Sequence, residues 1–148
     1  MKNEILSLED SANTFLNVVH TTKLLRPVYE DGWNAKEIIA HIVYYHEYYT
    51  RVVDALVKKK DLPLIDESLM VTNIRGAREY AKYSRNELYS RFMKAQSIFV
   101  KDLLLLKDDT EIPYKKGGRI YKAVDYVKVI DGHIRKHTKD LMRKKRKK

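Results

Sequence analysis

The chain has 148 residues with 44% hydrophobic side chains, enough to bury the core of one domain and too apolar for a disordered segment. It has no cysteine, which excludes disulfides, thiolate metal sites and a cysteine nucleophile and favours an intracellular setting. The formal net charge of +10 invites a nucleic-acid or anionic-surface reading. Six of those charges, however, sit in the last six residues, Arg143-Lys144-Lys145-Arg146-Lys147-Lys148, and the rest of the chain is close to ordinary.

With only five Gly and three Pro, the composition suits long helices. Met1 to Glu4 lead into an amphipathic segment, so neither a signal peptide nor a membrane span is expected. From residue 3 to about 22, Ile5, Leu8, Ala12, Phe15, Leu16 and Val19 repeat in steps of three and four, which predicts a first amphipathic helix. Arg26-Pro27 closes that segment, and residues 29–32 form a connector. Asn34 with Glu37 three residues on reads as a variant capping box. The helix it opens runs to about residue 57 on a stripe of Ile38, His41, Ile42, Tyr45, Tyr48, Tyr49, Val52, Val53 and Leu56. Lys58-Lys59-Lys60 then suits the negative end of a helix dipole.

Residues 61–66 read as loop. Ile74, Ala77 and Tyr80 suggest a short helix within 70–83, against which Gly76 argues. Ser84 and Glu87 repeat the capping box and start a third long helix with Leu88, Phe92, Ala95, Ile98, Phe99, Leu103 and Leu106 inward. Residues 108–118, with Pro113 and Gly117-Gly118, read as turn. A fourth long helix is expected over 119–143, buried along Ala123, Val127, Ile130, Ile134 and Leu141. The expected architecture is therefore all-α, a four-helix bundle over 1–142 with its longest connection between the second and third long helices. Residues 143–148 are expected to be a disordered basic tail.

Asp131-Gly132-His133-Ile134-Arg135-Lys136-His137 carries the candidate chemistry. Two histidines four residues apart share one helix face, a spacing that lets both grip one ion. A third ligand must come from elsewhere, and His41 lies on the inward stripe of the second helix. His46, five residues on, is turned about 140° away and is expected nearer the edge. His20, at the end of the first helix, is expected to be solvated. Three imidazoles suit Zn, Ni or Fe and leave coordination positions open for water and substrate. Glu47 and Asp131 are candidates to orient a ligand or act as a base. Tyr45, with Tyr44, Tyr48 and Tyr49, forms a tyrosine-rich face that could line a pocket. The same residues also admit a plainer reading, in which the histidines are hydrogen-bonded core groups and the bundle binds a small molecule without turnover.

Trp33-Asn34-Ala35-Lys36-Glu37-Ile38-Ile39-Ala40-His41-Ile42 resembles the start of the second helix in the DinB/YfiT-like superfamily. His133-x-x-x-His137 resembles that superfamily's pair on the last helix. The spacing, and the stretch from Asn73-Ile74-Arg75-Gly76 to Leu88, are most similar to the ClbS/DfsB-type branch, although Tyr45 stands where that branch tends to carry Trp. The resemblance implies an up-down-down-up bundle, often a homodimer, with Zn or Ni held by His41, His133 and His137. It also implies a cytoplasmic protein acting on a small electrophilic molecule. Its relatives include hydrolases, thiol-dependent transferases and isomerases, and proteins of stress response, detoxification or self-resistance. The tail at Arg143 to Lys148 adds, at most, weak contact with nucleic acid or another anion.

Overall fold

The computed structural model describes residues 1–29 and 32–143. Four long helices, α1 (Lys2–Thr21), α2 (Ala35–Val57), α4 (Arg85–Leu103) and α5 (Ala123–Met142), make the bundle. A shorter helix, α3 (Leu69–Tyr80), and a two-stranded hairpin, β1 (Glu111–Pro113) and β2 (Ile120–Lys122), complete the described elements. Helix α1 packs on α5 and α4, and α2 packs on α4, α3 and α5. Of the basic tail expected to be disordered over 143–148, Arg143 is described and donates to Asp140 at 2.6 Å, and residues 144–148 lie outside the described residues.

Local signals account for the helix starts. Asn34 Oδ1 accepts from the Glu37 amide at 2.9 Å, and Glu37 returns the bond to the Asn34 amide at 3.1 Å. Ser84 and Glu87 do the same for α4, both at 3.1 Å. Each box satisfies two of the amide groups that a helix start leaves free. The inward residues read on α1, Ile5, Leu8, Ala12, Phe15, Leu16 and Val19, are all buried.

Three expectations need correction. Residues 119–122 do not begin the last helix. Ile120 and Tyr121, β-branched and aromatic, pair antiparallel with Pro113 and Ile112 instead, and α5 starts at Ala123. The turn region is therefore the hairpin, whose Gly117 adopts a φ of 69°. Residues 69–80 do form a helix, capped by Ser68. Gly76 is required there: a Cβ at that position would lie 2.7 Å from two atoms of the Tyr44 ring. The third correction concerns His46, which is 1% exposed. Every residue from Ile38 to His46 is buried, because α4 covers the side of α2 that a single-stripe reading leaves to solvent. His46 stacks on Phe92 with ring centroids 4.3 Å apart, and its Nε2 lies 2.7 Å from Gln96 Oε1. Asp102, near the end of α4, is likewise buried, and burial together with nearby Asp54 raises its carboxyl to about 6.

Candidate metal centre

His41 stands on the second turn of α2, within a run of buried residues from Ile38 to His46. His133, half-buried, and His137, buried, stand one turn apart on α5, on the same side as Ile130. The packing of α2 on α5 brings these histidines together across 92 residues of sequence. His41 Nε2 lies 3.2 Å from His133 Nε2, and His133 Nε2 lies 3.1 Å from His137 Nε2. One ligand atom from each ring lies within 4.8 Å of the other two.

These separations suit an ion. Nitrogens about 2.0–2.1 Å from a tetrahedral centre stand about 3.3 Å from one another. The donor set fits on chemical grounds as well. Burial, followed by the neighbouring His133 and His137, pushes His41 down to about 3. Burial, then His137 and Lys136, pushes His133 down to about 4. Burial also lowers His137, opposed by the nearby Asp140 carboxylate. All three rings are thus neutral at pH 7, the form that ligates. Neutral rings whose Nε2 atoms converge must either point lone pairs at one another or turn their Nδ1 lone pairs into a dry interior. The Nδ1 atoms of His41 and His137 are buried and unpartnered. A divalent cation at the convergence point resolves the conflict, because all three Nε2 lone pairs then have one acceptor.

Two aromatic rings wall the cluster. Trp33, just ahead of α2, has its ring 5.1 Å from that of His41. Tyr45, one turn after His41, has its ring 5.1 Å from His41 and 6.1 Å from His133. Its hydroxyl donates to Asn73 Oδ1 on α3. Burial raises the Tyr45 pKa, so the hydroxyl stays protonated.

The other candidates lie elsewhere. Glu47 accepts from the Tyr80 hydroxyl at 2.5 Å and from Arg91 at 2.8 Å, and serves the contact between α2, α3 and α4. Asp131 accepts from Ser7 at 2.5 Å, from Ser11 and from Arg135 at 3.3 Å, which ties α5 to α1. Among the described residues, neither carboxylate hydrogen-bonds a histidine. Tyr48 and Tyr49 turn toward the hairpin, the first donating to the Tyr114 carbonyl at 2.7 Å and the second 2.9 Å from the Tyr114 hydroxyl. Tyr44 packs under α3 against Tyr80. Of the four tyrosines, Tyr45 is the one that faces the histidines. His20 is exposed.

Sequence reasoning missed Asp140, whose Oδ2 lies 3.8 Å from His137 Nδ1. A carboxylate three residues after a helical histidine was the available signal.

No protein-family model matches the chain, and no curated protein does. Among solved structures it is similar to the mycothiol-dependent maleylpyruvate isomerase, with 11% identity and a TM-score of 0.77. A histidine-to-alanine mutant of that enzyme matches at 10% identity with the same TM-score. The chain shares the helical-bundle fold of those structures. Both alignments cover 95% of this chain, which spans 60% of the length of those structures. At this identity the likeness is one of fold. The histidine cluster could hold a metal ion, and it stands in this chain on its own geometry. Among the described residues, no helix is long and apolar enough to cross a membrane.

Proposed function

We propose that this protein is a divalent-metal-dependent enzyme, a hydrolase or transferase acting on a small electrophilic molecule in detoxification, stress response or self-resistance. His41, His133 and His137 are its ligands, and Zn or Ni its metal. The observation that carries the reading is the convergence of three neutral imidazole rings, with His133 Nε2 3.1–3.2 Å from the Nε2 atoms of the other two and all three ligand atoms within 4.8 Å of one another. Separate hydrogen-bonded core histidines, as in a binding bundle without turnover, would have partners for their buried nitrogens. In this chain the Nε2 atoms instead face one another, His41 to His133 at 3.2 Å and His133 to His137 at 3.1 Å.

Three protein ligands leave coordination positions free, and a bound ion there supplies a Lewis acid that lowers the pKa of water or of a thiol. The residues of the chain do the rest. Trp33 covers His41 and keeps bulk water from that side of the cluster. The Tyr45 hydroxyl is kept protonated by burial and donates to Asn73, which fixes the ring that walls His41 and His133 on that side. With no cysteine in the chain, a thiol nucleophile would come from a small-molecule cosubstrate. The solved structures of a mycothiol-dependent enzyme with this fold support including a thiol-dependent reaction in the reading. The layout from Asn73 to Leu88 keeps the ClbS/DfsB-type branch, a cytoplasmic homodimer in this proposal, as the finer assignment.

Elemental analysis of untagged protein purified without chelator tests it. About one equivalent of Zn or Ni per chain is expected, falling to a small fraction in His133→Ala. A metal-free wild type that also fails to take up either ion on addition would refute it.

A further inference from the structure

We propose that Asp140 is the outer partner of His137 and that Tyr29, acting through Asp140, makes the α1–α2 connection part of the metal site. The inference rests on the metal reading above. Asp140 is an acid only 8% exposed. Its Oδ1 accepts from Arg143 at 2.6 Å, whereas its Oδ2 accepts from the Tyr29 hydroxyl and faces His137 Nδ1 at 3.8 Å. That Nδ1 is buried with no hydrogen-bond partner.

The juxtaposition decides the tautomer. With the proton on Nε2, the Nδ1 lone pair would point at a buried carboxylate, which is repulsive in a low-dielectric setting. With the proton on Nδ1, an N–H dipole points at that carboxylate and the Nε2 lone pair is left for the ion. A ring rotation that shortens the contact to about 3 Å makes it a charge-assisted hydrogen bond. Carboxylates in this position fix the ring and raise the basicity of the ligating nitrogen. His41 has an equally buried and unpartnered Nδ1, but no acid is paired with it. The device therefore acts on one ligand of the three.

Tyr29 extends the device. The segment before α2 is held on the end of α5 by Arg26, which donates to the Leu141 carbonyl and, at 3.2 Å, to that of Arg143. Tyr29 then reaches Asp140, and Trp33 packs on His41. One connection thus touches one ligand directly and a second ligand through its acid. Asp140 and Tyr29 are positioning residues here, because neither reaches the point where the three Nε2 atoms meet.

The test measures Zn²⁺ dissociation constants by competition with a chromophoric chelator, for untagged wild type, Asp140→Ala, Asp140→Asn and Tyr29→Phe. The Co²⁺ absorption spectrum and the melting temperature of the metal-free form are recorded for each. Asp140→Ala is expected to bind Zn²⁺ about 10–100-fold more weakly. Asp140→Asn keeps the shape and loses the charge; it is expected to weaken binding and to shift the Co²⁺ bands. Tyr29→Phe is expected to give a smaller loss in the same direction. If Asp140→Ala does not fold, Asp140→Asn decides alone. Folded Asp140 variants with wild-type affinity and an unchanged Co²⁺ spectrum would overturn this inference and leave the three-histidine site standing. A wild type that binds neither ion would overturn both.

Discussion

Acid should loosen this bundle through His46, a histidine outside the metal cluster. Burial pushes His46 down to about 4, with the Gln96 contact opposing only in part. In the unfolded chain a histidine titrates near 6.5. Between those values the unfolded state binds a proton that the folded state refuses, so stability rises with pH across the window. Read downward, stability falls as pH drops through about 6.5, and the loss levels off near the folded value of about 4. From pH 7 to pH 5 the cost for this one group is about 2 kcal/mol. The geometry explains why the ring cannot simply accept the proton: it is stacked on Phe92, and its Nδ1 is buried without a partner. Urea unfolding at a series of pH values in the presence of chelator, for wild type and His46→Leu, isolates the contribution. Leu at this site removes the titration, so its stability should fall between pH 7 and 5 by about 2 kcal/mol less than that of the wild type. Because Gln96 loses its partner, the variant should also be less stable at pH 7, by about 1–3 kcal/mol. Parallel pH profiles for the two proteins would refute the reasoning, since the acid sensitivity would then belong to other groups.

Three further outcomes are expected. Gly76→Ala should destabilise the fold by about 1–3 kcal/mol despite alanine's better helix propensity, because the new methyl meets the Tyr44 ring; denaturant midpoints check it. Asp131→Ala should cost about 2–3 kcal/mol by leaving the buried Ser11 hydroxyl and its neighbour Ser7 without their acceptor, yet leave Zn²⁺ affinity unchanged in the same chelator competition. Asn34→Ala should lower stability by about 1 kcal/mol through loss of the α2 cap, visible as a shift of the thermal midpoint.

Much of the layout was legible in advance because it depends on neighbours in the chain. The Asn34–Glu37 and Ser84–Glu87 boxes act over three residues and need no tertiary partner. The buried stripe of α1 follows from helix periodicity alone. So does the shared face of His133 and His137 on α5. The inward side of His41 was readable for the same reason, which is why the three candidate ligands could be named together.

What sequence could not supply depends on which surfaces meet. His46 lies at the edge of the stripe read on α2 and is buried because α4 covers that side. Gly76 looked like a helix breaker until the Tyr44 ring was placed against it. Asp131 stands two residues from His133, but its partners are serines on α1, 120 and 124 residues away, so it clamps helices together. Asp140 became relevant through the tautomer it favours at His137, and Tyr29 through a contact across 111 residues. Sequence by itself determined the four long helices, the caps of α2 and α4 and the main inward stripe of each, because hydrogen bonds and side-chain directions within a helix are set over three or four residues. Only the tertiary structure decided which of those side chains face one another, because that depends on the relative rotation and packing of α2 and α5, a long-range balance of burial that no local spacing encodes.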